Sequence, residues 1–215
     1  MDEGLGNMSA GLKICIVGSG PAGMYAAGDI VKKSPDSRID IIDKLATPYG
    51  LVRAGVAPDH QPTKNVTRAY DKVMENANVR FVGNISLGSD IPLTELRRLY
   101  DVVIIATGTP KDRSLNIPGE DKSGVFGAQT FVYWYNGHPE FRDAVPDLDI
   151  DTAVVIGNGN VALDVARILM RTEGEMLTSD LADHAAQEIF KSPLKCVHVV
   201  GRRAPENAQF SSKEL

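Results

Sequence analysis

Short apolar runs alternate along the chain with segments whose apolar residues recur at helical spacing. The first repeat of this pattern predicts strand Lys13–Val17, helix Pro21–Lys33 and strand Arg38–Asp43. Strands separated by helices in this way are typical of a parallel sheet covered by helices. The same pattern predicts further strands near Val79–Val82, Val102–Ala106, Thr152–Ile156 and Lys195–Val200, and further helices near Lys64–Asn76, Leu93–Leu99, Gln129–Gly137, Val161–Arg171 and Asp180–Lys191.

The stretch ATPYGLVRAGVAPDHQPTKN, residues 46–65, interrupts this alternation. It is too irregular for a strand or a long helix, and it is too apolar for a flexible linker. Long loops of this composition usually serve a binding or catalytic site. We therefore expect an ordered loop here that contributes to a site.

The arrangement predicts two domains after a loose tail over residues 1–11. We expect the N-terminal part of one dinucleotide-binding domain over residues 12–109 and the N-terminal half of a second over residues 110–215. Ser211 and Glu214 have the spacing of a helix start, yet the sequence stops one residue later. The predicted fold class is therefore α/β, with two Rossmann-like dinucleotide-binding units, the second of them truncated.

The first glycine-rich turn, GSGPAG, follows the first strand and opens the first helix. In such a fingerprint Gly18 permits the tight turn, Gly20 lets the backbone approach a pyrophosphate, and Gly23 lets the helix pack closely on the strand. Asp43 closes the next strand, where an acid accepts hydrogen bonds from a ribose diol. The alternative for Asp43 is an exposed acid at a strand end.

The second glycine-rich turn, GNGNVA, has the same logic, with Gly157, Gly159 and Ala162 at the three positions. Its partner strand is followed by Arg202 and Arg203 rather than by an acid. Paired arginines at this place suit a nucleotide 2′-phosphate, although two solvated surface arginines are the alternative. The two turns together predict sites for two different dinucleotides, one of them phosphorylated.

Composition excludes several other classes of protein. The net charge of −5 argues against a nucleic-acid partner, and no apolar run is long enough for a membrane span. The N-terminus has the features of neither a signal peptide nor a transit peptide, so we expect a cytoplasmic location. Cys15 and Cys196 are predicted to be small buried residues, and the absence of C-x-x-C excludes a dithiol relay. No histidine has the spacing of a metal ligand.

Four longer strings resemble the adrenodoxin reductase family of ferredoxin–NADP⁺ reductases: PYGLVRAGVAPDHQPTKNV, YNGHPE, GNGNVALDVARIL and GRRAPENAQFSSKEL. The resemblance runs in order from about Leu12 to Leu215. Members of that family continue for roughly as many residues again, and their second half completes both domains. The resemblance therefore implies the N-terminal half of such a flavoprotein.

The resemblance also implies roles for individual residues. Four positions match residues that contact FAD in the family: Ala22, Asp43, Leu51 and Leu87. Four others match the turn that binds the NADP(H) pyrophosphate: Asn158, Gly159, Asn160 and Val161. By the same resemblance, Arg202 and Arg203 bind the 2′-phosphate. His60 lies close to the flavin and Glu214 near the nicotinamide, so these two are the candidate catalytic residues.

The activity implied is electron transfer from NADPH through FAD to a ferredoxin or adrenodoxin-like iron–sulfur protein. The docking surface for that partner is expected largely in the second half of the family's sequence. A non-catalytic nucleotide-binding module or subunit is one alternative. Another NADPH-dependent flavoenzyme, such as a monooxygenase or the small subunit of a glutamate synthase, is a second.

Overall fold

The structure is a computed structural model that describes residues 11–109, 111–202, 207, 208 and 210. The chain divides into two compact units. The first comprises Met1–Arg53 and Pro62–Pro110, and the second comprises Ala54–Gln61 and Lys111–Leu215. A short piece of the irregular loop thus belongs with the later part of the chain, a grouping that the linear sequence does not reveal.

A parallel four-stranded sheet organises the first unit, with the strand order β3-β2-β1-β4. Its central strand β1 pairs with β2 so that Lys13 lies opposite Arg38 and Val17 opposite Ile42. The strands are β1 (Lys13–Val17), β2 (Arg38–Ile42), β3 (Val79–Val82) and β4 (Val102–Ile105), and the helices are α1 (Pro21–Lys33), α2 (Leu51–Ala54), α3 (Gln61–Lys64), α4 (Thr67–Met74) and α5 (Leu93–Leu99).

Alternate residues of these strands enter two hydrophobic clusters on opposite faces of the sheet, as the two-residue period of a strand requires. On one face, α1 and α4 cover a cluster that includes Ile14, Ile16, Ile39, Ile41, Met24 and Tyr70. On the other face, α5 contributes Leu96 to a cluster with Cys15, Val17 and Ile42. A sheet buried on both faces explains why the strands are almost continuously apolar.

The second unit is built around two parallel strands, in which Thr152 lies opposite Cys196 and Ile156 opposite Val200. Its hydrophobic cluster joins the sheet to the helices and includes Trp134, Tyr135, Val165, Ile168 and Ile189. The elements are α6 (Ala128–Tyr135), β5 (Thr152–Ile156), α7 (Asn160–Met170), α8 (Asp183–Lys191) and β6 (Cys196–Val200), with 3₁₀ turns at Pro139–Phe141 and Gly174–Met176.

The predicted parallel α/β architecture is confirmed, and the differences from prediction are local. Both β2 and β4 end one residue earlier than predicted, the helix predicted from Lys64 begins at Thr67, and α8 begins at Asp183. The irregular loop contains the short helices α2 and α3. Cys196, predicted to be buried, is only partly buried, because one face of the β5–β6 sheet is exposed in the described residues.

The aromatic residues of α6 pack in two different ways. Trp134 and Tyr135 are fully buried in the second hydrophobic cluster, whereas Tyr133 stacks on His138 with ring centroids 4.6 Å apart. His184 lies with Nε2 3.0 Å from the Trp134 carbonyl. Within the described part of the chain, no helix is both long and apolar enough to cross a membrane.

Candidate dinucleotide-binding sites

The first glycine turn joins β1 to α1 and has little room for side chains. Gly18 has φ +108°, and a Cβ there would lie 2.3 Å from the carbonyl oxygen of Ala106. A Cβ on Gly23 would lie 2.0 Å from the Gly18 carbonyl oxygen. At Gly20, by contrast, a Cβ would meet only Gly50 Cα, at 3.9 Å. The two outer glycines thus serve the local packing, and the middle one leaves the turn open.

The Asp43 side chain is hydrogen-bonded directly to this turn. Its Oδ2 accepts hydrogen bonds from the Ser19 backbone N–H at 2.8 Å and from the Ser19 hydroxyl at 2.6 Å. Its Oδ1 accepts from the backbone N–H of Leu45 at 3.0 Å. A carboxylate has about four acceptor positions, so one remains for a ligand hydroxyl. Asp43 is therefore not simply a solvated acid, because most of its acceptor positions already bind the protein backbone and Ser19. A ribose could use only the remaining position.

Two other predicted FAD contacts lie on segments that border this turn. Leu51 is 52 % exposed at the start of α2, directly after Gly50, whose own Cβ would lie 2.9 Å from Gly20 Cα. Leu87 follows β3 in a segment that returns to Asp43, because the Ile85 N–H donates to the Asp43 carbonyl oxygen at 2.9 Å. The structure thus brings both segments to the end of the sheet that carries the glycine turn.

Ala22 is exposed in the first turn of α1. Gly20 is the residue before this helix, and no side chain of the described residues caps the helix N-terminus. The first N–H groups of a helix have no partner within the helix and carry partial positive charge, which makes such an end suited to a phosphate. The first site therefore combines an open glycine, an uncapped helix end and a carboxylate at the end of the neighbouring strand.

The second glycine turn joins β5 to α7 and is more open than the first. Gly157 has φ +143°, and its N–H donates to the Val200 carbonyl oxygen at 2.8 Å, which ties the turn to β6. A Cβ on Gly159 would meet none of the described residues within 4 Å. Gly159 is the residue before α7, and no side chain of the described residues caps this helix end. Asn160 and Val161 follow in the first helical turn, and both are exposed.

The end of β6 lies beside this second turn. A Cβ on Gly201 would lie 2.7 Å from Nδ2 of Asn158, so the Asn158 side chain lies against the backbone of Gly201. Arg202 is the next residue and is exposed. The order of turn, strand end and arginine is thus the one that the sequence predicts for a phosphorylated ribose. Arg203 and Glu214, the remaining predicted residues, lie outside the described residues.

His60 belongs to the second unit, where the segment Ala54–Gln61 packs on α7. Its Nδ1 lies 3.8 Å from Oδ1 of Asp164, and its neighbour Asp59 pairs with Arg167. Nε and Nη2 of Arg167 donate to the two Asp59 oxygens at 2.7 and 3.0 Å, and Nη2 also donates to Asp164 at 2.6 Å. Arg171 Nε lies 3.5 Å from Asp59 Oδ2. His60 therefore lies at the edge of a buried network of charges.

Electrostatic effects within this network oppose one another. Burial by itself raises the pKa of the Asp59 carboxyl, but the hydrogen bonds and charge of Arg167 outweigh it and hold that pKa below its ordinary value. Burial likewise disfavours the charged form of Arg167, yet Asp59 and Asp164 raise its pKa. Tyr135, also in this unit, has its pKa raised by burial, and its hydroxyl has no partner among the described residues. The Asp59 carboxylate and the Arg167 guanidinium therefore stay charged near neutral pH.

The cysteines have no counterpart of a redox dithiol among the described residues. Cys15 is fully buried, and burial followed by the charge of Asp40 raises the pKa of its thiol to about 11. Cys196 belongs to the other unit, and both are free thiols. Burial and the raised pKa therefore keep the Cys15 thiol protonated and unreactive near neutral pH.

A family model described as pyridine nucleotide-disulphide oxidoreductase matches residues 12–200. The chain belongs to the pyridine nucleotide-disulphide oxidoreductase family. Both glycine turns, each between a strand and a helix, lie within the matched residues. The predicted fold class is confirmed by this match.

Two relatives narrow the resemblance within the pyridine nucleotide-disulphide oxidoreductase family. The chain is 49% identical over 205 residues to the mitochondrial NADPH:adrenodoxin oxidoreductase of Arabidopsis thaliana, covering 95% of this chain and 42% of the relative. It is 46% identical to the NADPH-ferredoxin reductase FprA of Mycobacterium leprae, covering 94% of this chain and 45% of that protein. The resemblance to the adrenodoxin reductase family is confirmed, and the chain spans less than half the length of these relatives.

Solved structures agree with this placement. The structure of Mycobacterium tuberculosis FprA in complex with NADPH matches with a TM-score of 0.92 and 45% identity, covering 95% of this chain and 46% of that one. A 6-hydroxypseudooxynicotine amine oxidase from Pseudomonas geniculata matches with a TM-score of 0.56 at 20% identity. The second likeness shows a shared fold alone.

Several residues that build the sites carry no local sequence signal. Ser19 is fully buried between the glycine turn and Asp43, although a serine within a fingerprint is ordinarily a neutral position. Gly50 faces Gly20 from a loop thirty positions later. Asp59 and Arg167 are 108 positions apart. A regular hydrophobic pattern in the loop over residues 46–65 could have indicated the path of the chain and hence the contacts of Gly50 and Asp59. The loop has no such pattern.

Proposed function

We propose that the chain carries the dinucleotide-binding sites of a flavoprotein that passes electrons from NADPH through FAD to a ferredoxin-type iron–sulfur protein. The observation that carries the proposal is the contrast between two similar glycine turns. Asp43 closes the strand beside the first, and Gly201 with Arg202 follows the strand beside the second. The similarity to NADPH:adrenodoxin oxidoreductases and FprA supports the same assignment.

The first turn is proposed as the FAD site. Its uncapped helix end suits the pyrophosphate, and the remaining acceptor position on Asp43 suits an unmodified ribose. A 2′-phosphate there would face a carboxylate and be repelled. Ala22, Leu51 and Leu87 are proposed as apolar contacts at the rim, because they lie on the three segments that border the turn.

The second turn is proposed as the NADP(H) site. Among the described residues the space above Gly159 is open, and no side chain of theirs caps the backbone N–H groups at the start of α7. Arg202 and Arg203 are proposed to bind the 2′-phosphate, since guanidinium groups form paired, charged hydrogen bonds to phosphate oxygens. Asn158, Asn160 and Val161 then line the pyrophosphate and its approach.

The division of labour follows from these sites. Bound FAD supplies the conversion between two-electron hydride chemistry and single-electron transfer. The chain's own residues bind the two nucleotides, fix their orientation and select the phosphorylated one. His60 and Glu214 are proposed to orient the flavin and the nicotinamide. The charged network of Asp59, Asp164 and Arg167 holds the His60 segment on α7.

The direct test is a coupled assay on a purified protein that contains this chain together with the segment that completes both domains in the adrenodoxin reductase family. We expect a yellow protein whose visible spectrum is that of bound FAD, and we expect NADPH to drive reduction of a ferredoxin-type acceptor. The rate with NADH should be at least about ten-fold lower at equal concentration. Arg142 is an exposed arginine of the unit that contains Arg202, and changing it to Ala should leave the preference for NADPH as in wild type.

The alternatives give different results in this assay. A nucleotide-binding module binds FAD or NADPH but shows no electron transfer to any acceptor. Another NADPH-dependent flavoenzyme oxidises NADPH but leaves the iron–sulfur protein oxidised. Either outcome contradicts the proposed function, and the two are distinguished by NADPH consumption.

The partner and the compartment are the remaining parts of the proposal. A ferredoxin or adrenodoxin-like protein is proposed as acceptor because the relatives are named for those substrates. The cytoplasm is retained as the proposed compartment on the sequence argument alone, while the Arabidopsis relative is named mitochondrial. Fractionation of cells that produce a tagged protein decides between the two.

A further inference from the structure

Tyr49 adopts a backbone conformation that is unfavourable for its residue type. Its φ is +89°, and the other non-glycine residues with positive φ among those described are two asparagines, Asn84 and Asn116. Asparagine tolerates this region, whereas a bulky aromatic residue there is a true outlier. Such a conformation persists only where surrounding contacts impose it, and it often marks a functional turn.

The strained residue contacts the first glycine turn through its backbone. The Tyr49 N–H donates to the Ser19 carbonyl oxygen at 3.1 Å. The next residue, Gly50, has φ +46°, and a Cβ there would lie 2.9 Å from Gly20 Cα. Ser19 is therefore held on its carbonyl by Tyr49 and on its N–H and hydroxyl by Asp43.

The side chain of Tyr49 anchors this contact to a helix. Its hydroxyl donates to Oδ1 of Asp71 in α4, and its ring lies 5.6 Å from that of Tyr70. The Arg53 guanidinium lies 5.7 Å from the centre of the Tyr49 ring, and its Nε donates to the Pro48 carbonyl oxygen at 3.1 Å. These contacts hold the turn of residues 48–50 in its strained form.

We infer that Tyr49 and Asp71 are positioning residues for the first nucleotide site: their hydrogen bond holds the turn of residues 48–50 against the glycine turn, so that the glycine turn has its binding conformation before the dinucleotide arrives. This inference rests on the proposed use of that turn as the FAD site. A preformed site binds more tightly because little ordering is left to occur on binding. Burial, followed by the bond to Asp71, raises the pKa of Tyr49 to about 12, so the hydroxyl remains a donor at working pH.

The test compares two tyrosines of the same aromatic cluster. Tyr49→Phe removes the hydroxyl that contacts Asp71 and keeps the ring. Tyr70→Phe makes the same chemical change at a buried neighbour that has no hydrogen bond to the glycine turn among the described residues. If loss of the Tyr49–Asp71 hydrogen bond leaves the glycine turn in its binding conformation in only about one molecule in ten, the Kd for FAD rises about ten-fold in Tyr49→Phe. The Kd in Tyr70→Phe should change less than two-fold, even where its thermal stability falls.

A second pair of variants separates positioning from general stability. Asp71→Ala should weaken FAD binding as Tyr49→Phe does, and the double variant should be no weaker than the weaker single one, because both changes remove one bond. Gly50→Ala should also weaken FAD binding, since its Cβ meets Gly20. Gly124→Ala places alanine at a similar φ of +79° with nothing within 4 Å, and it should leave the Kd unchanged.

Amide hydrogen exchange in the FAD-free protein measures local opening of the glycine turn. It therefore separates a loss of positioning from a general loss of stability. Exchange at Ser19 and Gly20 should become faster in Tyr49→Phe and not in Tyr70→Phe. A wild-type protein that binds FAD, together with an unchanged Kd in both Tyr49→Phe and Asp71→Ala, overturns the inference alone. A wild-type protein that binds no FAD overturns the proposed function as well.

Discussion

Arg167 and Asp59 lie 108 positions apart in the sequence and form a two-pronged ion pair, with Nε 2.7 Å from Oδ2 and Nη2 3.0 Å from Oδ1. The Asp59 side chain is 7% exposed and that of Arg167 16% exposed, so the pair is largely removed from water. Such a pair adds little over a well-packed apolar contact, but loss of one partner leaves a buried charge. The pair therefore fixes where the His60 segment lies more than it adds net stability.

Asp59→Asn should lower the free energy of unfolding at pH 7 by about 3 kcal/mol, because Arg167 then keeps its charge with one carboxylate fewer. Chemical denaturation monitored by Trp134 fluorescence measures the change, since this only tryptophan of the chain is buried in the same unit. Asp143→Asn, at an exposed acid of that unit, is the control and should be neutral. Equal stability of both variants would show that the pair is dispensable.

The same pair predicts a dependence on pH. The pKa of Asp59 is depressed in the folded protein, so its contribution is fully present above the unfolded value of about 3.9 and is lost as pH falls through the lower folded value. The difference in unfolding free energy between wild type and Asp59→Asn should therefore be constant from pH 5 to 7 and should shrink below about pH 4. A difference that grows on acidification contradicts this assignment.

Two glycine substitutions should separate folding from binding. Gly18→Ala should destabilise the protein by several kcal/mol, because φ is +108° and the new Cβ lies 2.3 Å from a carbonyl oxygen. Gly159→Ala has open space and φ −102°, so its stability should change by less than about 1 kcal/mol. Its binding of NADPH should still weaken at least ten-fold, since the methyl group enters the pyrophosphate's path.

The control for this experiment is Gly174→Ala. Gly174 also has nothing within 4 Å and lies in a 3₁₀ turn away from β5 and the glycine turn. Both stability and NADPH affinity should be retained, as measured by thermal unfolding and titration calorimetry. Unchanged NADPH affinity in Gly159→Ala would remove this turn from the proposed site.

Asp43 should matter both with and without nucleotide. In Asp43→Asn one amide orientation opposes the Leu45 N–H, and the other opposes the two Ser19 donors, so at least one hydrogen bond is lost in either case. We expect a loss of about 1–3 kcal/mol in the nucleotide-free protein and weaker FAD retention. Asp36→Asn, at an exposed acid of the same unit, should affect neither. A variant that loses FAD with no change in apo-protein stability would restrict Asp43 to ribose binding.

Arg202 and Arg203 should determine the choice between NADPH and NADH. Replacing both with Ala should raise the KM for NADPH by at least about ten-fold, because each charged hydrogen bond contributes about 1.5–3 kcal/mol. The KM for NADH should stay nearly unchanged, since the lost contacts reach only the 2′-phosphate. Steady-state kinetics with both coenzymes measures this, and equal losses for the two would contradict the assignment.

The order of strands and helices, both glycine turns and the contrast between Asp43 and Arg202 could be predicted from sequence. These features depend on local periodicity and on the special backbone of glycine, which a short window of sequence contains. The strand ends are less well predicted, because Asp43 and Ala106, the predicted last residues of two strands, lie beyond them. The Asp43 N–H still donates to the Val82 carbonyl oxygen at 3.1 Å, while its side chain accepts a hydrogen bond from Ser19 that no local pattern indicates.

The path of the loop over residues 46–65 was decided only by tertiary structure. Its sequence has no period, so nothing local indicates that Tyr49 reaches Ser19 and Asp71 or that Asp59 reaches Arg167. Both sets of contacts join residues far apart in the chain, and they form only after the sheets and helices have brought their partners within hydrogen-bond distance. The sequence determined which kinds of site the chain builds, and the packing of distant segments determined which residues hold them in place.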